Sequence, residues 1–128
     1  MSFSADLDKA VLNLKGYTEK QVKGTLFSLA ARVIKESPVD TGRFRGNWQA
    51  SLNTPNKSTT GSLDRSGGGA INEVAAVVNN LQLGQVFWLT NNLPYARRLE
   101  YGYSKQAPNG FLRINVQRVQ FALNQAKQ

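Results

Sequence analysis

The sequence predicts a small α+β domain, in which a long N-terminal helix and a C-terminal helix pack on a small antiparallel sheet. Apolar residues recur at helical spacing near both ends of the chain. Between them, one stretch alternates apolar and polar residues and another is a short apolar run, as is typical of strands. A Ser-, Thr- and Gly-rich segment at about 54–69 has no apolar period and predicts a long flexible loop. The length of 128 residues fits one domain that spans residues 1–128.

The first third of the chain carries two helical faces. Apolar residues recur every three or four positions, at Phe3, Leu7, Val11 and Leu14 and then at Val22, Leu26, Leu29 and Val33. Ser4 is a candidate N-cap for the first face. Gly16 separates the two faces, and Thr18 and Gln21 could form a fresh capping box, which argues for a break in the helix. A continuous, kinked helix is the alternative.

The segment Pro38–Trp48 predicts a rigid corner after this helix. Pro38 disfavours helical geometry in the residue before it, so the helix should end near Ser37. Gly42 can adopt a positive φ angle, and the Asp and Thr side chains before it can bond nearby amides. The corner should therefore turn the chain and deliver its two aromatic side chains to the core.

Two strands are predicted to pair with each other, at 46–52 and 84–90. The first alternates apolar and polar side chains, and the second contains the apolar run Val86–Leu89. A helix should precede the second strand, because apolar residues recur at Ile71, Val74, Ala75, Val78 and Leu81.

The last third of the chain predicts one or two helical turns at 95–100, a loop at 102–110 and a C-terminal amphipathic helix. Pro94 is well placed to start the short helix. The apolar face of the C-terminal helix is formed by Leu112, Val116, Val119, Leu123 and Ala126.

Composition argues against catalysis. The chain has no cysteine and no histidine, so it lacks thiolate chemistry and both the commonest general base and the commonest metal ligand. We therefore expect no enzyme activity, no cofactor and no metal site. It has no run of about 18 apolar residues and no secretory signal pattern, so we expect cytoplasmic synthesis and no membrane span. The formal net charge of +8 suits contact with acidic surfaces or with nucleic acid.

Two acids, Asp40 and Glu100, lie in the densest motifs. A carboxylate pair can hydrolyse glycosides, but the neighbouring arginines favour a structural role. The specific hypothesis is that Glu100 pairs with Arg43 or Arg45. The glycine run at 67–69 lacks the order of a phosphate-binding loop, so it is interpreted as a hinge.

The aromatic residues are assigned mainly to the core. Trp48 and Trp88 fall at positions that match the buried face of the predicted strands, although stacking on exposed bases is the alternative. Tyr101 and Tyr103 flank Gly102 and are candidates for a subunit interface, where tyrosine is enriched.

Two motifs together resemble a known family. The turn Pro38-Val39-Asp40-Thr41-Gly42 is followed by a basic residue, and much later comes Tyr95-Ala96-x-x-Leu99-Glu100-x-Gly102. In order and spacing they resemble the small tail-completion and head–tail joining proteins, also called neck or minor tail proteins, of long-tailed bacteriophages. The resemblance covers Pro38 to about Asn47 and Tyr95 to Gly102, and the final segment fits the C-terminal helix of that family.

The resemblance implies a structural virion protein that is assembled in the bacterial cytoplasm and found at the head–tail junction. It implies a homo-oligomeric ring of six or twelve copies that meets the tail terminator and the head-completion or connector proteins. It favours the continuous N-terminal helix. The 54–69 loop would fold on a neighbour or point towards the DNA channel. The motif residues are Asp40, Thr41, Gly42, Tyr95, Glu100 and Gly102, and the interface candidates are Arg43, Arg45, Arg97, Arg98, Tyr101 and Tyr103.

The alternative function is a small basic nucleic-acid-binding module. The net charge supports it, but the basic residues are dispersed over several predicted elements and no recognition motif is present.

Overall fold

The computed structural model describes residues 2–5, 11–102, 105–107 and 110–126. Over these residues the chain forms five helices and four strands, which confirms the α+β class. The helices are α1 (Glu19–Glu36), α2 (Arg43–Gly46), α3 (Gly68–Asn79), α4 (Ala96–Glu100) and α5 (Arg113–Ala126). The strands are β1 (Ser2–Ala5), β2 (Val11–Asn13), β3 (Trp48–Leu52) and β4 (Phe87–Asn91).

The helix expected before Gly16 is not found in residues 2–5 and 11–15, and the prediction for these residues is wrong, whereas Leu7 lies outside the described residues. The described residues there form β1 and β2, which pair antiparallel, and β1 also pairs in parallel with β4. Ser4 therefore lies in a strand and caps no helix. The physical reason is that β4 has backbone groups to satisfy on its second edge, and pairing with β1 satisfies them. An apolar spacing of three or four over so short a segment does not exclude a strand.

The predicted break before α1 is confirmed. Thr18 and Gln21 form the capping box: the Gln21 N–H donates to Thr18 Oγ1 at 3.2 Å, and the Thr18 N–H donates to Gln21 Oε1 at 3.0 Å. Gly16 has a φ of 91°, a conformation that ends the preceding segment. The continuous helix that the resemblance favours is therefore wrong. Helix α1 ends at Glu36, as Pro38 predicts.

The described strands form one sheet in the order β2-β1-β4-β3. The predicted antiparallel pair is confirmed as β3 and β4, with Ala50 opposite Leu89 and Leu52 opposite Phe87. Both strands begin two or three residues later than predicted, and the turn α2 occupies the residues just before β3. The sheet is mixed rather than purely antiparallel because β1 joins it in parallel.

The helices and the sheet share one hydrophobic core, in which α1 packs against α3 and α5, α3 against β3, and α5 against β2. The predicted face of α1 is fully buried at Val22, Leu26, Leu29 and Val33. Trp48 and Phe87 are also fully buried, whereas Trp88 is half-buried and its indole N–H donates to the Asn53 carbonyl. Trp48 is thus a core residue as predicted, whereas the assignment of Trp88 to the core is wrong, because Trp88 lies on the opposite face of β4 from Phe87. None of the helices described here is both long and apolar enough to cross a bilayer.

Much of the 54–69 loop is bonded to the sheet and to the corner. Thr90 Oγ1 and the Asn92 amide both donate to the Asn56 carbonyl, and the Gln49 amide donates to the Ser58 carbonyl. Asn47 exchanges hydrogen bonds with the backbone of Thr60. The segment thereby lies against the side of β3 and β4 that faces away from the helices. Its flexibility in isolation stays a prediction.

Candidate interface groove

The two motif segments, far apart in the chain, meet across one surface groove. Residues 38–44 form one wall, and Tyr95 and Leu99 form the other. Gln106, from the loop after α4, also lines the groove, which has a volume of about 260 Å³. The fold therefore places the first and second motifs in a single site.

Residue Gln106 holds the first wall in place. Its side-chain amide donates to the Val39 carbonyl at 2.9 Å, and its side-chain oxygen accepts the Val39 N–H at 2.8 Å. These two bonds imitate the pairing of one strand residue with another. Just before this point, the buried Ser37 hydroxyl donates to the Val33 carbonyl and accepts the Trp48 indole N–H. The end of α1 and the start of the corner are thus tied to both the core and the loop.

The base of the groove is continuous with an aromatic cluster in the core. Phe44 lies 5.8 Å from Trp48, 5.4 Å from Phe111 and 6.1 Å from Tyr95, measured between ring centroids. The first two contacts are edge-to-face, an arrangement that adds to the gain from burying apolar area. Phe44 is buried, whereas Tyr95 is 37% exposed. The cluster therefore runs from the core to the surface through the groove.

Glycine is required at position 42 because the loop crosses directly over it. Gly42 has a φ of 93°, and a Cβ there would lie 2.5 Å from the Arg65 nitrogen and 2.6 Å from the Asp64 nitrogen. The Gly42 carbonyl accepts the N–H groups of Asp64 and Gly46. The 54–69 loop thus crosses the predicted corner in direct backbone contact with Gly42.

The guanidinium of Arg45 ties three segments together through backbone carbonyls. It donates to Ser37 at 2.9 Å, to Lys35 at 2.7 Å and to Arg65 at 2.7 Å. The first two carbonyls are at the C-terminal end of α1, where a cation is favourable. Arg45 is therefore a structural residue of the corner.

Residue Glu100 does not pair with Arg43 or Arg45, and that hypothesis is wrong. Its carboxylate is 1% exposed and accepts four hydrogen bonds at the start of α5. Oε1 accepts the N–H groups of Phe111 and Leu112, and Oε2 accepts the N–H and the Nε–H of Arg113, all at 2.9 Å. An arginine is the ion-pair partner, as the arginine-rich context suggests, but it lies on α5.

The carboxylate of Glu100 acts as a cap for α5. The first N–H groups of a helix have no partner within the helix, and a negative charge is favourable at that end. The backbone of Gly110, just before α5, lies close to the backbone of Glu100. A Cβ on Gly110 would lie 2.5 Å from the Glu100 carbonyl oxygen. The four hydrogen bonds hold the Glu100 carboxylate in one orientation at the start of α5.

The start of α3 is capped in the same manner. Asp64 accepts the N–H groups of Gly67 and Ala70, and the Ser66 hydroxyl accepts the Gly68 N–H. Three of the N–H groups in and just after the glycine run that could cradle a phosphate, those of Gly67, Gly68 and Ala70, are therefore already bonded within the chain. In the part of the chain that the structure describes, no group of three or more acidic residues is placed to hold a metal ion.

The remaining predicted residues lie at or near the surface of the groove region. Asp40, Thr41 and Arg43 are exposed, and Thr41 Oγ1 accepts the Arg43 N–H at 3.3 Å. Arg97 and Arg98 are exposed on α4. Tyr101 is 53% exposed and its ring lies 4.1 Å from the Arg113 guanidinium carbon. Gly102 has a φ of 87°, and Tyr103 lies outside the described residues.

Sequence reasoning missed three residues that build this region: Gln106, Asp64 and Arg113. Asp64 carried a usable signal, since an aspartate shortly before a glycine and an apolar helical face is typical of a helix start. Gln106 and Arg113 carried none, because their partners are set by how distant segments pack.

Comparison with known proteins gives no match. No family model fits the chain, and no curated protein and no solved structure is significantly similar to it.

Proposed function

We propose that this chain is a structural protein of a tailed-bacteriophage virion. It forms a ring at the head–tail junction, completes the tail and allows the head to join it. The observation that carries the proposal is the meeting of the two motif segments across one groove. Segments that resemble one family in order and spacing also form one surface, as a shared recognition site requires.

The roles of the motif residues support a structural protein over an enzyme. Gly42 allows the 54–69 loop to pass close to its backbone, Glu100 caps α5 and Tyr95 lines the groove. Each of these roles explains the residue type without any catalytic step. Large apolar side chains that are strongly exposed, namely Leu63, Leu83 and Phe121, also suit a protein that buries further surface on assembly.

Electron microscopy of lysates from a phage whose gene for this chain is disrupted would test the proposal. We expect DNA-filled heads beside separate tails and few joined particles, because an incomplete junction has no surface for the next component. Supplying the intact chain from a plasmid should restore joined particles, which controls for effects on neighbouring genes. Normal yields of joined, infectious particles without the chain would refute the proposal.

One observation favours the alternative, a nucleic-acid-binding module. Arg45 draws the backbones of Lys35 and Arg65 together, and neither of those two side chains has an ion-pair partner among the residues described. The exposed Lys35, Arg65 and Arg43 thus belong to segments that meet at Arg45, near the end of α1.

Affinity for duplex DNA measured across salt concentration would separate the two functions. A module should bind below micromolar Kd, and log affinity should fall by about 0.9 per neutralised phosphate for each unit of log salt. We expect weak binding to DNA and an affinity that changes little with salt, because the cations of a structural protein contact other proteins of the assembly. A steep fall at sub-micromolar Kd would favour the module.

A further inference from the structure

We propose that the edge of β3 away from β4, here called the open edge, binds an extended segment of a partner protein that carries a basic side chain. The segment would add a strand to the sheet beside Ala50 and Leu52 and would place its basic group near Glu73. This site is independent of the role proposed above, since it depends only on the backbone and charges around β3.

Strand β3 lies at the end of the sheet order β2-β1-β4-β3, so one of its edges has no neighbouring strand among the described residues. In an antiparallel pair, successive residues direct their backbone groups alternately towards the partner strand and away from it. The Asn53 N–H donates to a carbonyl just before β4, which fixes the phase of this alternation. Ser51 and Gln49 therefore face β4 as well. Ala50 and Leu52 direct their backbone groups to the open edge.

Three backbone groups on the open edge have no hydrogen-bond partner within the described structure. They are the N–H and the carbonyl of Ala50 and the N–H of Leu52, whereas the Leu52 carbonyl accepts the Thr54 N–H. Ala50 and Leu52 are both half-buried, so neither is sealed from an incoming chain. A donor and an acceptor on one residue match the acceptor and donor of a residue in an added strand. The free groups therefore select an extended protein segment.

The 54–69 loop limits how far an added strand can pair. The loop crosses the chain just before β3, at Gly46, where an added Cβ would lie 2.9 Å from the Ser62 carbonyl oxygen. Trp48, next to this crossing, is fully buried. An added strand would thus pair beyond Trp48, with Ala50 near its centre.

An acidic cleft adjoins the open edge. The loop lies on the Gln49 side of β3, and α3 packs against the other side, where Ala50 meets the core. A cleft that touches both must therefore pass the edge of the strand. This cleft has a volume of about 360 Å³, and its lining includes Gln49, Asp64 and Glu73. Its lining contains these two acids and no lysine or arginine.

The two acids select a basic side chain on the partner. Asp64 is held by backbone N–H groups at the start of α3, whereas Glu73 is exposed and has no ion pair among the described residues. A lysine or arginine on the added strand would meet Glu73 at the cleft and speed association. A second copy of β3 fits poorly, because symmetrical pairing would bring like charges together and would require the carbonyl of the buried Trp48.

Amide hydrogen exchange followed by nuclear magnetic resonance would test the inference. In the dilute free chain, we expect the Gln49 and Ser51 amides to exchange slowly and the Ala50 and Leu52 amides to exchange rapidly. Adding the blocked peptide Ser-Val-Lys-Val-Ser should cause saturable shifts of the Ala50 and Leu52 amides and slow their exchange severalfold.

Two comparison peptides separate backbone pairing from charge. Ser-Val-Glu-Val-Ser keeps the backbone donors but has the wrong charge for the cleft. A form of the lysine peptide that is N-methylated at its three central residues keeps the charge but loses the donors that an added strand needs. We expect neither peptide to shift or protect the same amides.

A charge reversal provides the matched variant. Glu73→Lys should weaken the binding of Ser-Val-Lys-Val-Ser about tenfold, since an attractive exposed pair becomes a repulsive one. Glu36→Lys makes the same change beside Arg118 of α5, the helix that packs against β2, and should leave the affinity unchanged. Because both positions are exposed, both variants should fold, and their melting curves would verify this.

The inference is overturned if the lysine peptide causes no saturable shift at Ala50 and Leu52, or if either comparison peptide shifts them as strongly. Slow exchange of these two amides in the dilute free chain would refute the open edge itself. Protection that rises with the concentration of the chain alone would show that a second copy occupies the edge and would overturn the choice of a different protein.

Discussion

Replacing Glu100 by glutamine should lower the free energy of unfolding by about 3–5 kcal/mol. The carboxylate is 1% exposed and accepts two hydrogen bonds on each oxygen. Glutamine keeps one acceptor oxygen and puts an NH₂ group where the other was. That group would face two N–H donors at the start of α5, which leaves buried donors without partners. Urea unfolding of both proteins would measure the difference.

Two further variants separate the cap from the ion pair. Arg113→Gln removes the partner of Glu100 but leaves the backbone bonds, and the Arg113 side chain is 41% exposed. We expect a loss of about 1–3 kcal/mol, the cost of taking one hydrogen-bond partner from a buried charged group, which is less than the loss for Glu100→Gln because the three backbone bonds remain. Glu73→Gln changes an exposed acid on α3 and should have almost no effect. If Arg113→Gln costs as much as Glu100→Gln, the backbone cap is not the source of the stability.

Replacing Gly42 by alanine should cost about 3 kcal/mol of stability. A φ of 93° in a residue with a side chain costs roughly 1–2 kcal/mol. The new Cβ would also lie within 2.7 Å of three backbone atoms of Asp64 and Arg65, so the loop must shift. The bond from the Asp64 N–H to the Gly42 carbonyl would be strained with it. The midpoint of urea unfolding would report the loss.

Two other glycines are matched controls for this variant. Gly84 has the same φ of 93° with nothing within 4 Å of an added Cβ, so Gly84→Ala isolates the backbone cost of about 1–2 kcal/mol. Gly24 lies inside α1 with open space around it, so Gly24→Ala should stabilise by about 0.5–1 kcal/mol. Equal losses for the variants at positions 42 and 84 would contradict a tight crossing of the loop.

Prediction from the sequence succeeded where the signal was local. The capping box at Thr18 depends on two residues three positions apart, and Pro38 predicts where α1 ends. The alternation in β3 and the apolar run in β4 also identified the strand pair. For Glu100, an arginine partner was correctly expected, but the wrong arginine was chosen, because closeness in sequence does not indicate which helix start lies beside a buried acid.

The amino-acid order alone was sufficient for the α+β class, the break before α1, the β3–β4 pair and the C-terminal helix. These features depend on caps, prolines and periodicities that act within a few residues. Four other features depend on how distant segments pack. These are the pairing of β1 with β4, the capping of α5 by Glu100, the close contact of the 54–69 loop with Gly42, and the groove shared by the two motifs. The reason is physical: an unpaired strand edge, an uncapped helix and a surface groove acquire their partners only when distant segments come together.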